Sequence, residues 1–431
     1  MTLTQQDVAA PRLSRLAQGL TGSEILRIFR EVQALVASGR DITDLTIGDF
    51  SPREFRIPKP LEDAVVDAFR AGECVYPPGM GLEALRSAIR GFYAHRLGHE
   101  FPLDRILVTA GARPAIYALF RALVDPGDRV VFGVPSWNNN YYCRLLGAEA
   151  VPIVCDASTN FLPTANALRR EIRGARLLAL NSPLNPTGTI FDADRLGAIC
   201  DVVLEENARR GPDERPLFVM YDQVYWMITA GGARHVEPLG LRPEMAPYVV
   251  LVDAISKAFA ATGLRIGWAV APPDVIRSMT DIVGHMGAWA PRPEQVATSR
   301  VLSDHRAVDA YIGDMRRAAS DRLEAVYDGL VAMRDAGLPV DCVRPQGAIY
   351  VSARFALMGL TTPDGQVLET DDDVRRYLLN AAGLAAVPFG AFGAKRDQGW
   401  FRLSIGVVSV EGVKEMMPRI RDAVEGLVAS G

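Results

Sequence analysis

In the stretch VDAISKAFAATGLRIGW, a lysine, Lys257, follows an apolar run, and an arginine, Arg265, stands a short way downstream. A lysine amine can form a Schiff base with an aldehyde cofactor or a carbonyl substrate. A guanidinium can hold an anion such as a phosphate. Most lysines are solvated surface charges, so the pair gains weight only from its company. Asp222 ends the apolar run PLFVMYD, and Tyr225 follows it in YDQVY. A carboxylate at the C-terminal edge of a strand points into the crevice where open α/β sheets bind ligands. Aspartate is also a common helix or turn cap. The run NSPLNPTG (181–188) is on its face a turn, and it can aim the amide of Asn185. In TAGARPAIYAL a strand gives way to a helix, so the backbone N–H groups of Gly111, Ala112 and Arg113 can cradle a phosphate. Arg402, in FRLSIG, can clamp a carboxylate with two parallel hydrogen bonds, although an ordinary surface arginine would look the same.

These residues need a frame to bring them together. The middle of the chain alternates short apolar runs with amphipathic helical patterns. RILVTA (105–110), RVVFGV (129–134), RLLALN (176–181), PLFVMYD (216–222), YVVLVD (248–253) and IGWAVA (266–271) read as strands. Helical patterns lie at 112–124 and near 163–173, 192–209 and 273–284. Buried strands alternating with helices predict an α/β fold with a mostly parallel, doubly wound sheet. From about residue 304 the character changes to a long helical pattern, then shorter strands at 347–353, 385–390 and 400–406, with helices near 371–380 and 410–428. That predicts a smaller α+β domain, joined by an N-terminal segment with a helix at about 22–38. The expected division is 1–60 for the N-terminal segment of the small domain, 61–305 for the large domain and 306–431 for the small C-terminal domain.

Composition excludes several classes. The chain has 431 residues, is 49% hydrophobic and 23% charged, and carries a formal net charge of -4. This is ordinary globular composition, with no basic block that would suggest nucleic acid or an anionic membrane. Cys74, Cys143, Cys155, Cys200 and Cys342 are scattered, form no C-x-x-C pair and suit a reducing compartment. The opening MTLTQQDVAAPRLSRL lacks an apolar core, so no secretory signal is expected, and a cytoplasmic location is. No metal site is expected from the well-separated histidines. The G-x-G-x-x-A run GMGLEA (79–84) follows a turn-like YPP instead of a strand, which argues against a dinucleotide site. TDDD (370–373) reads as a helix start with favourable dipole charge.

Taken together and in order, these motifs resemble the class I/II aminotransferases, pyridoxal-phosphate enzymes of fold type I. The resemblance runs from LTIGDF to FRLSIG, nearly the whole chain. It implies that Lys257 binds pyridoxal 5'-phosphate covalently and, once freed by substrate, moves the α-proton. It implies that Asp222 pairs with the pyridinium nitrogen, and that Tyr225 and Asn185 reach the phenolic oxygen. Ser256 and Arg265, with Gly111, Ala112 and Arg113, would hold the phosphate. Trp137 would stack on the ring, and Tyr76 would reach a neighbouring subunit's cofactor, making a homodimer with shared active sites. Arg402, Asn185 and the backbone of Gly48 would receive the substrate.

The chain also departs from the family pattern. Ala254 stands where many members have a hydroxyl residue, Gln223 where an acid is frequent, and GDFSP where proline often follows the acid directly. The donor stays open between aspartate and an aromatic amino acid. In GHMGAWAPRPEQ (284–295), Trp289 would favour apolar or aromatic substrates and Arg292 a dicarboxylic one. The reaction expected is ping-pong transfer of an amino group between an L-amino acid and a 2-oxo acid. A lyase, cyclase or decarboxylase would use the same lysine and aspartate. A non-catalytic regulator is disfavoured because Lys257 and Asp222 are both present. A nicotinamide-dependent oxidoreductase would leave Lys257, Asn185 and Arg402 unexplained.

Overall fold

The computed structural model describes residues 13–20 and 22–429. The opening residues 1–12, read above for a leader, lie outside them. Seven strands form the large sheet: β1 (Ile106–Thr109), β2 (Arg129–Val134), β3 (Glu149–Val154), β4 (Ala175–Asn181), β5 (Phe218–Asp222), β6 (Val249–Ala254) and β7 (Gly267–Val270). Their spatial order is β1-β7-β6-β5-β4-β2-β3. Only β7 runs against the others, antiparallel to both β6 and β1. The inner strands are continuous apolar runs because helices cover both faces. One face packs Tyr93, Trp226 and Trp268, and the other Leu119, Phe120 and Met279.

Strand β3 is absent from the sequence-based expectation. Only Val151 and Ile153 of this segment are buried; Pro152 between them is exposed. Half-exposure and a missing N–H suit an edge strand, and they blur the apolar signal. The antiparallel β7 has a larger consequence. Its first residue, Gly267, is registered against Thr109 of β1 and Ala254 of β6. Its N-terminal end therefore lies at the edge where its two neighbours finish. Arg265, just before β7, thus meets the segments that follow β1 and β6.

A second sheet, antiparallel throughout, contains β8 (Val340–Val343), β9 (Tyr350–Phe355), β10 (Val387–Pro388) and β11 (Trp400–Ser404) in the order β10-β11-β9-β8. The run expected as one strand at 385–390 is divided. Leu384–Ala385 pairs in parallel with Thr43–Asp44 near the start of the chain, and Val387–Pro388 joins β11. Leu45 and Phe55 share a core with Tyr350, Phe401 and Met416. A 31-residue helix, His305–Asp335, is capped by the Asp304 side chain. Thr370 and Asp373 form a capping box at the start of helix Asp371–Ala381. The GMGLEA stretch leads directly into helix Glu83–Leu97, with Gly81 at φ 89° and no strand before it.

Beneath the C-terminal edge of the large sheet lies a buried polar cluster. Asp253 of β6 accepts hydrogen bonds from Tyr93 Oη at 2.9 Å, Trp226 Nε1 at 2.8 Å and the Ala254 N–H at 2.7 Å. Trp268 Nε1 of β7 donates in turn to Tyr93 Oη at 2.8 Å. One carboxyl group thus ties the end of β6 to the segment after β5, to β7 and to helix Glu83–Leu97. Burial pushes this carboxyl up to about 8, against the pull of the hydrogen bonds from Ala254, Tyr93 and Trp226. Its folded pKa is raised, so the stability it contributes is present below the ordinary value and lost as pH rises through about 8. Asp253→Ala should strand buried donors and destabilise the ligand-free protein by about 3 kcal/mol at pH 5. The loss should be smaller at pH 9; urea denaturation at both pH values measures it.

Candidate active site

The strand ends converge on a cavity of about 490 Å3. Asn181 ends β4, Asp222 ends β5, Ala254 ends β6, and all three line it. Helix Ile255–Ala258 starts immediately after β6 and turns Ser256 and Lys257 into the same space. From the other side come Tyr350 of β9 and Arg402 of β11. The site is therefore built where the two sheets meet, at the carboxyl edge of the parallel strands.

Lys257 is half-buried, and its ammonium donates to the backbone carbonyl of Gly48. The nitrogen lies 5.7 Å from the ring centre of Tyr225 and 5.9 Å from that of Phe50. No carboxylate forms an ion pair with it among the described residues. Burial pulls the amine down to about 8. Asp49 opposes the shift, and the guanidiniums of Arg402, Arg113 and Arg265 add to it. A lysine in such surroundings is readily neutral, and so usable as nucleophile and base.

Asp222 has the opposite problem. Burial pushes its carboxyl up to about 6, while the Val224 N–H and the charge of Lys257 pull it back. The Val224 N–H is its hydrogen-bond donor at 3.2 Å. A carboxylate this poorly compensated favours a cationic partner. Nearby, Asn181 Nδ2 donates to the Asp222 carbonyl at 2.8 Å, and its Oδ1 accepts from the Asn185 N–H, also at 2.8 Å. Asn185 Oδ1 then accepts from Arg402 Nη1 at 3.1 Å. Arg402 is only 1% exposed. Its Nη2 donates to the Thr46 carbonyl, and its Cζ lies 4.8 Å from the ring centres of both Tyr350 and Phe392. Its Nε has no acceptor. This is a held guanidinium with hydrogen-bonding capacity to spare, as a carboxylate receptor requires.

The third end of the cavity suits a phosphate. Helix Ala112–Leu123 has no side-chain cap, so its first N–H groups are open. Gly111 precedes it at φ 86°, and a Cβ there would lie 2.2 Å from Arg265 Nη2. The glycine lets the guanidinium close on the helix start. Arg265 is anchored through Nη1 to the Thr262 carbonyl at 2.7 Å and through Nη2 to the Ala110 carbonyl at 3.1 Å. It sits at φ 56°, a left-handed backbone that costs a non-glycine residue about 1 kcal/mol. The described residues contain no group of three metal-type ligands, and none of their helices is long and apolar enough to cross a membrane.

Of the residues singled out in the sequence, Gly48, Ala112, Arg113, Trp137, Asn185, Asp222, Tyr225, Ser256, Lys257, Arg265 and Arg402 all line this cavity. Gly111 adjoins it through Arg265. Arg113 lies with its guanidinium 5.2 Å above the Trp137 ring and forms no ion pair among the described residues. Tyr76 is outside, 85% exposed, edge-on to Trp289 at 5.6 Å. Neither Trp289 nor Arg292 lines the cavity, and Arg292 Nε is engaged by Glu73 at 2.6 Å. Sequence reasoning missed Asp49, which accepts from Thr262 Oγ1 at 2.7 Å, along with Thr262 and Tyr350. It also missed Ile25 and Leu26 of helix Glu24–Ala37. Asp49 and Thr262 sit inside motifs already quoted, so adjacency was an available signal. Tyr350 and the helix residues carried none.

Comparisons with known proteins identify the family. A family model described as Aminotransferase class I and II matches residues 40–420. The aspartate aminotransferase of Geobacillus stearothermophilus is 31% identical over 421 residues, covering 96% of this chain and 99% of its own. A probable aspartate/prephenate aminotransferase of Rhizobium leguminosarum bv. phaseoli is 29% identical over 415 residues, covering 96% and 97%. The crystal structure of the aspartate aminotransferase from Rhizobium meliloti superposes with a TM-score of 0.86 at 30% identity, over 97% of this chain and 100% of that one. With the family match spanning nearly the whole chain and the strand ends gathered as described, this protein belongs to the class I and II aminotransferases, enzymes that depend on pyridoxal phosphate.

Proposed function

We propose that this aminotransferase takes its amino group from a dicarboxylic L-amino acid such as aspartate and passes it to a 2-oxo acid, both half-reactions using one site. The observation that carries the reading is Lys257, a half-buried amine whose pKa is pulled down to about 8 inside the cavity. Pyridoxal phosphate, when bound, supplies an aldehyde and a ring that accepts the electron pair left as the α-hydrogen departs. Lys257 is the amine that holds it and then the base that carries the proton from the α-carbon. Asp222 holds a proton on the ring nitrogen, and its own carboxylate is relieved of its burial cost by that positive charge. Tyr225 and Asn185 hold the phenolic oxygen. Arg265, Ser256 and the N–H groups of Gly111, Ala112 and Arg113 would hold the phosphate, and Trp137 would lie against the ring. Arg402, Asn185 and the backbone of Gly48 orient the α-carboxylate.

The donor assignment rests on Arg113. Its guanidinium lines the cavity without an ion-pair partner among the described residues, whereas Arg292 is engaged by Glu73 outside it. A cation at that wall suits a second carboxylate. Ile25, Leu26 and Ile116 form an apolar wall that leaves an aromatic donor as the second choice. The names of the relatives point to aspartate as well.

The same reading includes a homodimer with shared active sites, supported by Phe69, Val75 and Tyr76, large apolar side chains left exposed. It includes a division into 1–60, 61–305 and 306–431, supported by Leu45 and Phe55 packing with the C-terminal core. A cytoplasmic location is supported by five free cysteines, three of them buried.

Replacing Lys257 by alanine should abolish the visible absorbance of the bound cofactor and cut turnover at least about 1,000-fold; normal turnover would sink the assignment. Asp222→Asn separates function from stability. The folded pKa of Asp222 is raised from 3.8 to about 6, so its stabilising effect is present below 3.8 and lost as pH rises through about 6. Ligand-free Asp222→Asn should therefore gain on the wild type as pH rises from 4 to 7, by about 2 kcal/mol in urea unfolding, while kcat falls at least about 100-fold. Arg113→Gln should raise KM for aspartate about 10-fold and spare phenylalanine. Arg402→Ala should weaken both. Equal loss of the two donors in Arg113→Gln would remove the donor assignment.

A further inference from the structure

Tyr350 is fully buried, yet it stands in the wall of the cavity and belongs to the small antiparallel sheet. Its hydroxyl lies 2.5 Å from that of Tyr225, which follows β5 of the large sheet. The two rings meet edge to face at 5.6 Å. Backbone and packing hold Tyr350 firmly. It is registered against Ser404 of β11, and its ring lies 4.8 Å under the Arg402 guanidinium. A Cβ on Gly48 would lie 2.4 Å from the Tyr350 hydroxyl. The same glycine gives its carbonyl to Lys257. The Tyr350 hydroxyl therefore sits between Tyr225, Gly48 and the carboxylate receptor, on the opposite sheet from the residue it touches.

We propose that Tyr350 is a positioning residue, which donates its hydroxyl proton to Tyr225 and so commits the Tyr225 proton to the cofactor's phenolic oxygen. This rests on the reading of Tyr225 given above. Each phenol has one proton to give. If Tyr225 spends its own on the phenolic oxygen, the contact with Tyr350 persists only with Tyr350 as donor. A phenol that accepts a hydrogen bond becomes a stronger donor. The charged groups facing the pair are Arg402, Asp222, Asp49 and Lys257. None of these four hydrogen-bonds the Tyr225 hydroxyl; Lys257 donates to the Gly48 carbonyl instead. The pair also links the two sheets across the reacting atoms, so the placement of the small sheet sets the geometry of a cofactor contact on the large one.

The test is the pH titration of the visible band of the bound cofactor in four proteins: wild type, Tyr350→Phe, Tyr225→Phe and the double variant. Tyr350→Phe keeps the ring under Arg402 and removes only the hydroxyl. A donor to the phenolic oxygen stabilises negative charge there, which lowers the proton affinity of the adjoining nitrogen. Tyr225→Phe should raise the midpoint, and Tyr350→Phe should raise it by about 0.5 unit. In the Tyr225→Phe background, Tyr350→Phe should add nothing. Turnover of Tyr350→Phe should fall about 5-fold with KM for aspartate unchanged. An unchanged midpoint in Tyr350→Phe, alongside a shifted Tyr225→Phe, would overturn the proposal and leave the role of Tyr225 standing. Equal shifts in both backgrounds would also overturn it, since Tyr350 would then act independently of Tyr225. An unshifted Tyr225→Phe would bring down both the role of Tyr225 and the proposal.

Discussion

The architecture of the site depends on the carboxyl group of Asp253. It is a single buried acceptor reached by Tyr93, Trp226 and the backbone of Ala254, with Trp268 bonded behind it. Trp226 follows the segment that carries Asp222 and Tyr225. Ala254 opens the turn that carries Ser256 and Lys257. Trp268 lies just past Arg265. Three strand-end segments are thereby fixed to one point a few residues from their functional side chains. A side-chain position at the end of a strand is only as accurate as the strand's own placement. The cluster supplies that accuracy from below, and of its members only Ala254 lines the cavity.

Above the cluster the cavity holds charges that do not cancel. Arg113, Arg265, Arg402 and Lys257 face Asp222 and Asp49. Burial, aided by the excess of cations, keeps the Lys257 amine easily neutralised, and the cations prepare the cavity for anions. Arg402 and Arg265 are held by backbone carbonyls, and Arg402 also by aromatic faces, so they keep their charge without being neutralised by a carboxylate. Asp222 is left in turn with one backbone donor and a raised pKa. Each of these groups costs folding stability in isolation. An anionic ligand with a protonated ring in this space would offset the cost, which is the usual trade between stability and function.

The reversal of β7 is the topological device that completes the site. In a wholly parallel sheet, the residue before β7 would lie at the far edge, remote from the crevice. Because β7 is antiparallel to β1 and β6, its entrance and their exits coincide. Arg265 reaches the start of helix Ala112–Leu123 for this reason, and Gly111 gives it room.

Much of this was legible in the residues themselves. Apolar runs marked β1, β2, β4, β5, β6 and β7 because burial on both faces demands near-continuous apolar sequence. Lys257, Asp222, Asn185 and Arg265 stood out because each lies at or next to a strand end or turn, where chain direction alone predicts exposure to a crevice; Arg402, inside β11, stood out by residue type and its motif FRLSIG. Edge strand β3 was not legible, since half of it faces solvent. The split of 384–388 between two sheets was not legible either, because its first half pairs with Thr43–Asp44, more than 300 residues away in the chain. The roles of Tyr350 and Asp253 were equally hidden: a tyrosine in an apolar strand reads as packing until its hydroxyl is seen opposite another. Sequence by itself determined the chemistry on offer and the elements bearing it, because those follow from residue type and local periodicity. Tertiary structure decided strand direction, the closing of Arg265 on Gly111, the engagement of Arg292 by Glu73 and the meeting of Tyr225 with Tyr350. These depend on contacts between distant segments, and no local pattern encodes them.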